Sequence, residues 1–226
     1  AGGSPDASGR VYIYPVTGTT TGKVLNLANP SVYTGTVNGG ATFNSAGYFD
    51  FDGVNGYIDT GLNAGSVTEL TVEAWLRVDT YTNDGAGISI GDVSQGTGQC
   101  YLGRGNSGGD SMDWRFYTGT FLDETEFFTS DTGWKHYVGT YDQSGGAGSN
   151  QGRMRLYVNG NLEDTALSNN TSAIDFSSGA NIRIGINTND SSYFDGKYGE
   201  VRIYNDALTA SEVLQNFNAT RARYGV

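Results

Sequence analysis

What most limits the fold of this chain is a repeated rhythm of short alternating or apolar runs, each closed by turn residues. They read "GYFDFDG", "GYIDTG", "LTVEAWLRVD", "AGISIGD", "QCYLGRG", "MDWRFYTG", "TEFFTS", "WKHYVGTYD", "RMRLYVNG", "NLEDTAL" and "NIRIGIN". Strand side chains point alternately to two faces, so runs of this length bounded by Gly, Asn, Asp and Ser read as strands. In "RMRLYVNGNLEDT", Met154, Leu156 and Val158 face one way, and Asn159-Gly160 supplies the two positive-φ residues of a type I′ hairpin turn. With no internal repeat at periods of roughly 20 to 50 residues, the pattern predicts a sandwich and not a solenoid or propeller.

One segment breaks the rhythm. In "KYGEVRIYNDALTASEV", Val201 and Ile203 alternate with Arg202 and Tyr204, and then the period changes. Thr209 and Glu212 form a capping box, and Leu208 and Val213 fit the accompanying hydrophobic staple. Val213, Leu214 and Phe217 make one apolar stripe, predicting a helix from Ala210 to Asn218. So short a helix needs the sheet to pack on. Alternation makes Trp75, Leu76, Leu156, Val158, Ile184 and Ile203 core candidates, with Trp75 and Leu76 on opposite faces.

The 226 residues suit a single sandwich domain, and 35 Gly, 15 Tyr and only 3 Pro suit strands joined by tight turns. A net charge of −11 opposes binding to phosphate backbones or anionic membranes, which rests on Lys and Arg. No apolar run approaches the roughly 20 residues of a membrane helix. The single cysteine, Cys100, excludes an intrachain disulfide and reads as a small core residue. The start "AGGSPDASGR" lacks a signal-peptide apolar region and does not begin with Met, consistent with a processed chain or a piece of a longer one.

Residues 1–23 read as a linker or arm, and 24–226 as the domain. Within the arm, "RVYIYPV" is too apolar and β-prone to lie free in water. Pro15 confines it to an edge, either on its own sandwich or, the favoured reading, on a neighbouring structural subunit of an assembly.

The order of segments resembles the laminin-G-like, concanavalin A-like jelly-roll family. The family's F-D-G-x-x-x-Y, T-V-E-A-W, W-x-H and L-Y-V-N-G are matched by Phe51-Asp52-Gly53 with Tyr57, Thr71 to Trp75, Trp134 with His136, and Leu156 to Gly160. "FDGKYGEVRIYNDALTASEV" is similar to the family ending F-x-G-x-I-D-E-V-R-I-Y-N-R-A-L-S-x-x-E-I. The resemblance covers roughly Val24 to Asn218 and implies an all-β jelly-roll sandwich of two antiparallel sheets with a short C-terminal helix. Where the family often places an Asp before E-V-R-I-Y, a residue that helps hold a structural calcium in related sandwiches, this chain has Gly199.

The tail "ALTASEVLQNFNATRARYGV" is similar to the ends of such modules in tail, fibre and capsid-surface proteins of aquatic bacteriophages and other large viruses. The resemblance therefore implies a non-catalytic recognition or attachment module of a virion surface or other extracellular assembly, with surface glycans as ligands. Two other readings stand beside it: a structural decoration or cement domain that binds only protein, and a polysaccharide-cleaving enzyme.

Candidate chemistry is sparse. His136, the sole histidine, reads as a core or rim residue; a nucleophile pair with Cys100 would need an activating flank that the sequence lacks. In "LDETEFF", Glu124 and Glu126 form a carboxylate pair at strand spacing, against Asp123 and Thr125 on the other face. The stretch lacks the middle Asp of the E-x-D-x-x-E pattern that family glucanases resemble, so a solvated charged strand competes with catalysis, and no catalytic residue is assigned.

For binding, "RGNSGGDSMDWRFYTG" places Trp114 and Phe116 on one face and Asp113, Arg115 and Tyr117 on the other. The second set is expected to be exposed, with Tyr81, Arg104 and Tyr193 on nearby loops. Together they offer rings to stack on sugars and polar groups to bond hydroxyls. Calcium is the cofactor that loop oxygens at Asp84 and Asp190 would take, although Asx residues in Gly-rich turns also serve the turn itself.

Overall fold

The structure, a computed structural model, describes residues 11–14, 23–26, 34–80, 85, 87–91, 99–104, 110–117, 122–145, 152–168, 173–176, 181–187 and 191–226. The chain begins with β1 (Val11–Tyr14), β2 (Lys23–Asn26), β3 (Thr34–Asn38), β4 (Thr42–Asn44), β5 (Tyr48–Asp52) and β6 (Tyr57–Asp59). It continues with β7 (Ser66–Val67), β8 (Glu69–Val78), β9 (Ile88–Gly91), β10 (Gln99–Arg104), β11 (Ser111–Tyr117) and β12 (Leu122–Phe128). The last third holds β13 (Lys135–Asp142), β14 (Gly152–Val158), β15 (Asn161–Ser168), β16 (Ile174–Asp175), β17 (Arg183–Ile184), β18 (Asp195–Tyr204) and the helix α1 (Ala210–Tyr224).

Two large antiparallel sheets pack face to face. The first runs β12-β11-β10-β9-β17-β6-β3; the second runs β18-β8-β13-β14-β15, with β5 also paired to β18. β2 and β1 carry the ladder from β3 to β18 and join the sheets along one side.

Register explains the core. Trp114, Leu102, Ile88, Ile184 and Ile58 stand opposite one another on successive strands of the first sheet, and all are buried. Val72, Ala74 and Leu76 face them from β8, with Met154 and Leu156 from β14 and Val201 and Ile203 from β18. Each fully buried Leu or Ile contributes roughly 1.5–3 kcal/mol. All six core candidates named from alternation are buried. The Asn159-Gly160 turn has φ of 51° and 81°, as a type I′ hairpin requires.

The outer face of the second sheet carries a second apolar layer under α1, made by Val138, Tyr157, Tyr204, Leu208 and Val213. The capping box is present: Thr209 accepts from Glu212 N, and Glu212 accepts from the Thr209 backbone. The helix runs six residues further than the sequence suggested, to an αL cap at Gly225. Tertiary contacts extend it. Tyr224 stacks on Trp75 at 4.3 Å, and Trp75 Nε1 donates to Thr220 Oγ1 at 2.9 Å. Leu214 is 45% exposed, so the buried stripe is Val213 and Phe217.

Two expectations are corrected here. β1 is not at an edge and not on a neighbour: Val11, Tyr12 and Ile13 pair with Ile203, Arg202 and Val201 of β18, while its other side pairs with β2. The strand ends at Tyr14. At Gly199 a Cβ would meet the Tyr224 ring at 2.4 Å. The position that the resemblance gives to an Asp is occupied here by an aromatic ring that closes the helix onto the sheet.

Candidate functional site

Each sheet carries a polar cluster on its outer face, built around a carboxylate in mid-strand. On the second sheet it is Glu73. His136 Nε2–H donates to Glu73 Oε1 at 3.0 Å and Arg202 donates to the same oxygen at 2.8 Å. Oε2 accepts from Asn216 of the helix at 2.8 Å and from the Tyr204 hydroxyl at 3.3 Å. Burial alone would raise the Glu73 carboxyl, but the His136 bond and charge, Arg202 and Asn216 outweigh it and hold the group below the ordinary glutamate range. His136 is itself buried, with its ring tilted against Trp75 at 5.1 Å between centroids, as a structural core histidine would be.

On the first sheet the outer face is a polar row. Glu124, Arg115, Tyr101, Ser89 and Arg183 stand opposite one another across β12, β11, β10, β9 and β17. Arg115 Nε donates to Glu124 Oε1 at 2.6 Å, and Nη2 bonds Glu124 and forms an ion pair with Asp113 Oδ2 at 2.8 Å. The guanidinium lies 5.6 Å from the centre of the Tyr101 ring. Glu126 stands opposite Asp113, and one carboxylate oxygen from each of Asp113, Glu124 and Glu126 lies within 4.8 Å of the others.

Asp113 was expected to be exposed; its side chain is 0% exposed, beneath Arg115 at 14% and beside Glu124 at 22%. Burial pushes its carboxyl up to about 7; Arg115 and the Ser111 hydroxyl oppose the shift, and Glu124 adds to it. Asp113 can hold Arg115 from below but presents no surface to a ligand. Burial also raises the Tyr101 hydroxyl well above its ordinary range.

The structure brings Asp113, Arg115 and Tyr117 together on one face and separates the rest. Arg104 stands opposite Met112, on the other face of the sheet, and reaches toward Asp110 at 3.7 Å. Tyr193 bridges to Ile186 and lies against Tyr57 at the start of β6, four strands from β11 and so roughly 19 Å away. Tyr81, Asp84 and Asp190 lie outside the described residues. Sequence reasoning missed Tyr101 and Ser89, because only the register β9-β10-β11 puts them beside Arg115. It weighed Glu124 and Glu126 as a carboxylate pair and assigned them no catalytic role, without seeing the arginine that claims Glu124.

A family model described as the concanavalin A-like lectin/glucanases superfamily matches residues 52–214. The chain belongs to that superfamily. No curated protein matches it by sequence. Among solved structures, this superfamily domain is similar to the receptor binding domain of botulinum neurotoxin type G, with TM-score 0.65 and 16% identity over 93% of this chain and 51% of that one. It is also similar to the botulinum neurotoxin serotype D ligand binding domain in complex with N-acetylneuraminic acid, with TM-score 0.69 and 13% identity over 92% and 50%. The third is domain 4 of AbnA, a GH43 extracellular arabinanase from Geobacillus stearothermophilus, in complex with arabinotriose, with TM-score 0.61 and 18% identity over 80% and 86%. The chain spans about half the length of the toxin domains. At these identities the likeness establishes the fold.

Proposed function

We propose that the chain is a non-catalytic glycan-binding module, serving recognition or attachment on a virion or other extracellular assembly. One observation carries the reading: Tyr101, Arg115 and Glu124 form a partly exposed stack on a sheet face, with Tyr117 two residues along the same strand. Rings give a sugar an apolar surface, and a fixed Arg–carboxylate pair bonds neighbouring hydroxyls. Two similar domains are described with a sugar bound, which supports the same ligand class. Catalysis is disfavoured because Asp113 has no exposed surface and Glu124 is held by Arg115.

The test is a glycan array probed with the whole chain, in calcium and in chelator. Binding to at least one glycan, lost in Arg115→Ala, is expected. Loss on chelation would bring the loop carboxylates Asp84 and Asp190 into the site. Silence in both conditions would favour the protein-only decoration role, and sugar release abolished by Glu124→Gln or Glu126→Gln would show an enzyme.

A further inference from the structure

Charge around Arg115 does not balance. Asp113, Glu124 and Glu126 crowd within 4.8 Å, and Asp164 of β15 adds a fourth carboxylate, its Oδ2 accepting from Glu126 N at 3.0 Å. Arg115 is the one cation among the described residues of this cluster, and its Nη2 serves both Asp113 and Glu124. Glu126 Oε1 is a buried atom that takes no hydrogen bond among the described residues. On the same face, Ser89 stands opposite Tyr101, is wholly buried, and its hydroxyl also has no partner there. A second cation on this face, Arg183, stands opposite Ser89 on β17, three strands from Arg115. Buried polar atoms left without partners are costly, so this face awaits donors and positive charge.

A divalent metal fits poorly. Calcium takes six to eight oxygens around it, and the Arg115 guanidinium already occupies the space between Asp113 and Glu124. An ammonium on a carbon skeleton presents three donors on one side only. It can approach Glu126 from solvent while the rest of the molecule packs along the strand. β11 advances about 3.4 Å per residue, so Tyr117 lies on the order of 14 Å from Asp113. A short oligomer spans that distance.

We propose, on the basis of the glycan-binding reading, that the sugar taken by this face carries a protonated amine, as deacetylated glucosamine oligomers do. The ammonium donates to the half-buried Glu126 carboxylate and to Glu124, and the following sugars run along β11 past Arg115 to Tyr117. Acidic sugars are rejected by like charge, so selectivity comes from repulsion as well as attraction.

The test is calorimetric titration of the full chain at about pH 6, in chelator, with three probes: a glucosamine tetramer, its fully N-acetylated counterpart and a sialylated oligosaccharide. The amine tetramer is expected to bind about tenfold tighter than the acetylated one, as a charge contact in a partly solvated site gives. Glu126→Gln should cut that ratio to about threefold or less, and raised salt should shrink it too. Glu124→Gln gives the same readout should Glu126→Gln fail to fold. Equal affinity for the two tetramers overturns the inference and leaves glycan binding standing. A preference for the sialylated probe likewise overturns it. No heat with any of the three also overturns the inference, and the glycan array in calcium and in chelator then decides whether glycan binding stands.

Discussion

Glu73 and Asp113 are two buried carboxylates in comparable places, each in mid-strand on the outer face of its sheet and each beside an arginine. Their acidities move in opposite directions. Glu73 accepts from His136, Arg202, Asn216 and Tyr204 and is held low; Asp113 shares one guanidinium with Glu124 and is pushed up to about 7. The number of donors per acid decides the sign. Where the donors are enough, as under α1, the cluster fixes the fold. Where acids outnumber donors and the surface stays partly open, the deficit is the place we propose for a ligand.

The sharpest way to break this comparison is Glu73→Gln. It leaves Arg202 buried beside Glu200 without its central anion and weakens the bond from Asn216 of the helix. Unfolding by denaturant should show a loss on the order of 3–5 kcal/mol. A loss under about 1 kcal/mol would mean that the network is not structural.

Asp113→Asn separates the two acids by pH. The raised Asp113 favours the folded state when protonated, a contribution present below about pH 4 and lost as pH climbs through about 7. The depressed Glu73 contributes above its ordinary range and loses that contribution as pH falls through its folded value. Wild-type stability should therefore decline between about pH 4 and 7, by up to a few kcal/mol, and the Asn variant should be flat there. An unchanged decline in the variant would assign it elsewhere.

Arg115→Ala should cost about 1–3 kcal/mol, because its pair with Glu124 is partly solvated but its loss leaves the buried Asp113 without its cation, while removing glycan binding on the array. A large melting shift with intact binding would exchange the roles of the two clusters. Smallest is Thr209→Ala, which lies in neither cluster; loss of the N-cap should cost about 1 kcal/mol and leave binding untouched.

Much of the fold was legible because its signals are local. Asn159-Gly160, the Thr209–Glu212 box and the alternation of Met154, Leu156 and Val158 each act within a few residues. β2, β3 and β4 were not legible, since "KVLN", "TGTVN" and "TFN" are short and lack a clean apolar alternation. The helix end was missed because Trp75, far away in sequence, holds Tyr224 and Thr220. At the site, alternation correctly put Asp113, Arg115 and Tyr117 on one face and Trp114 and Phe116 on the other. Depth was invisible: nothing local shows that Asp113 lies beneath Arg115, or that Glu124 arrives from the next strand to share it.

Carboxyl-carbon NMR of the full chain across a pH titration tests the difference between the clusters most directly, because it reads both acids in one sample without a ligand. The account predicts that Asp113 titrates near 7 and Glu73 below the ordinary glutamate range. Two ordinary titrations, or a raised Glu73 with a depressed Asp113, would contradict it.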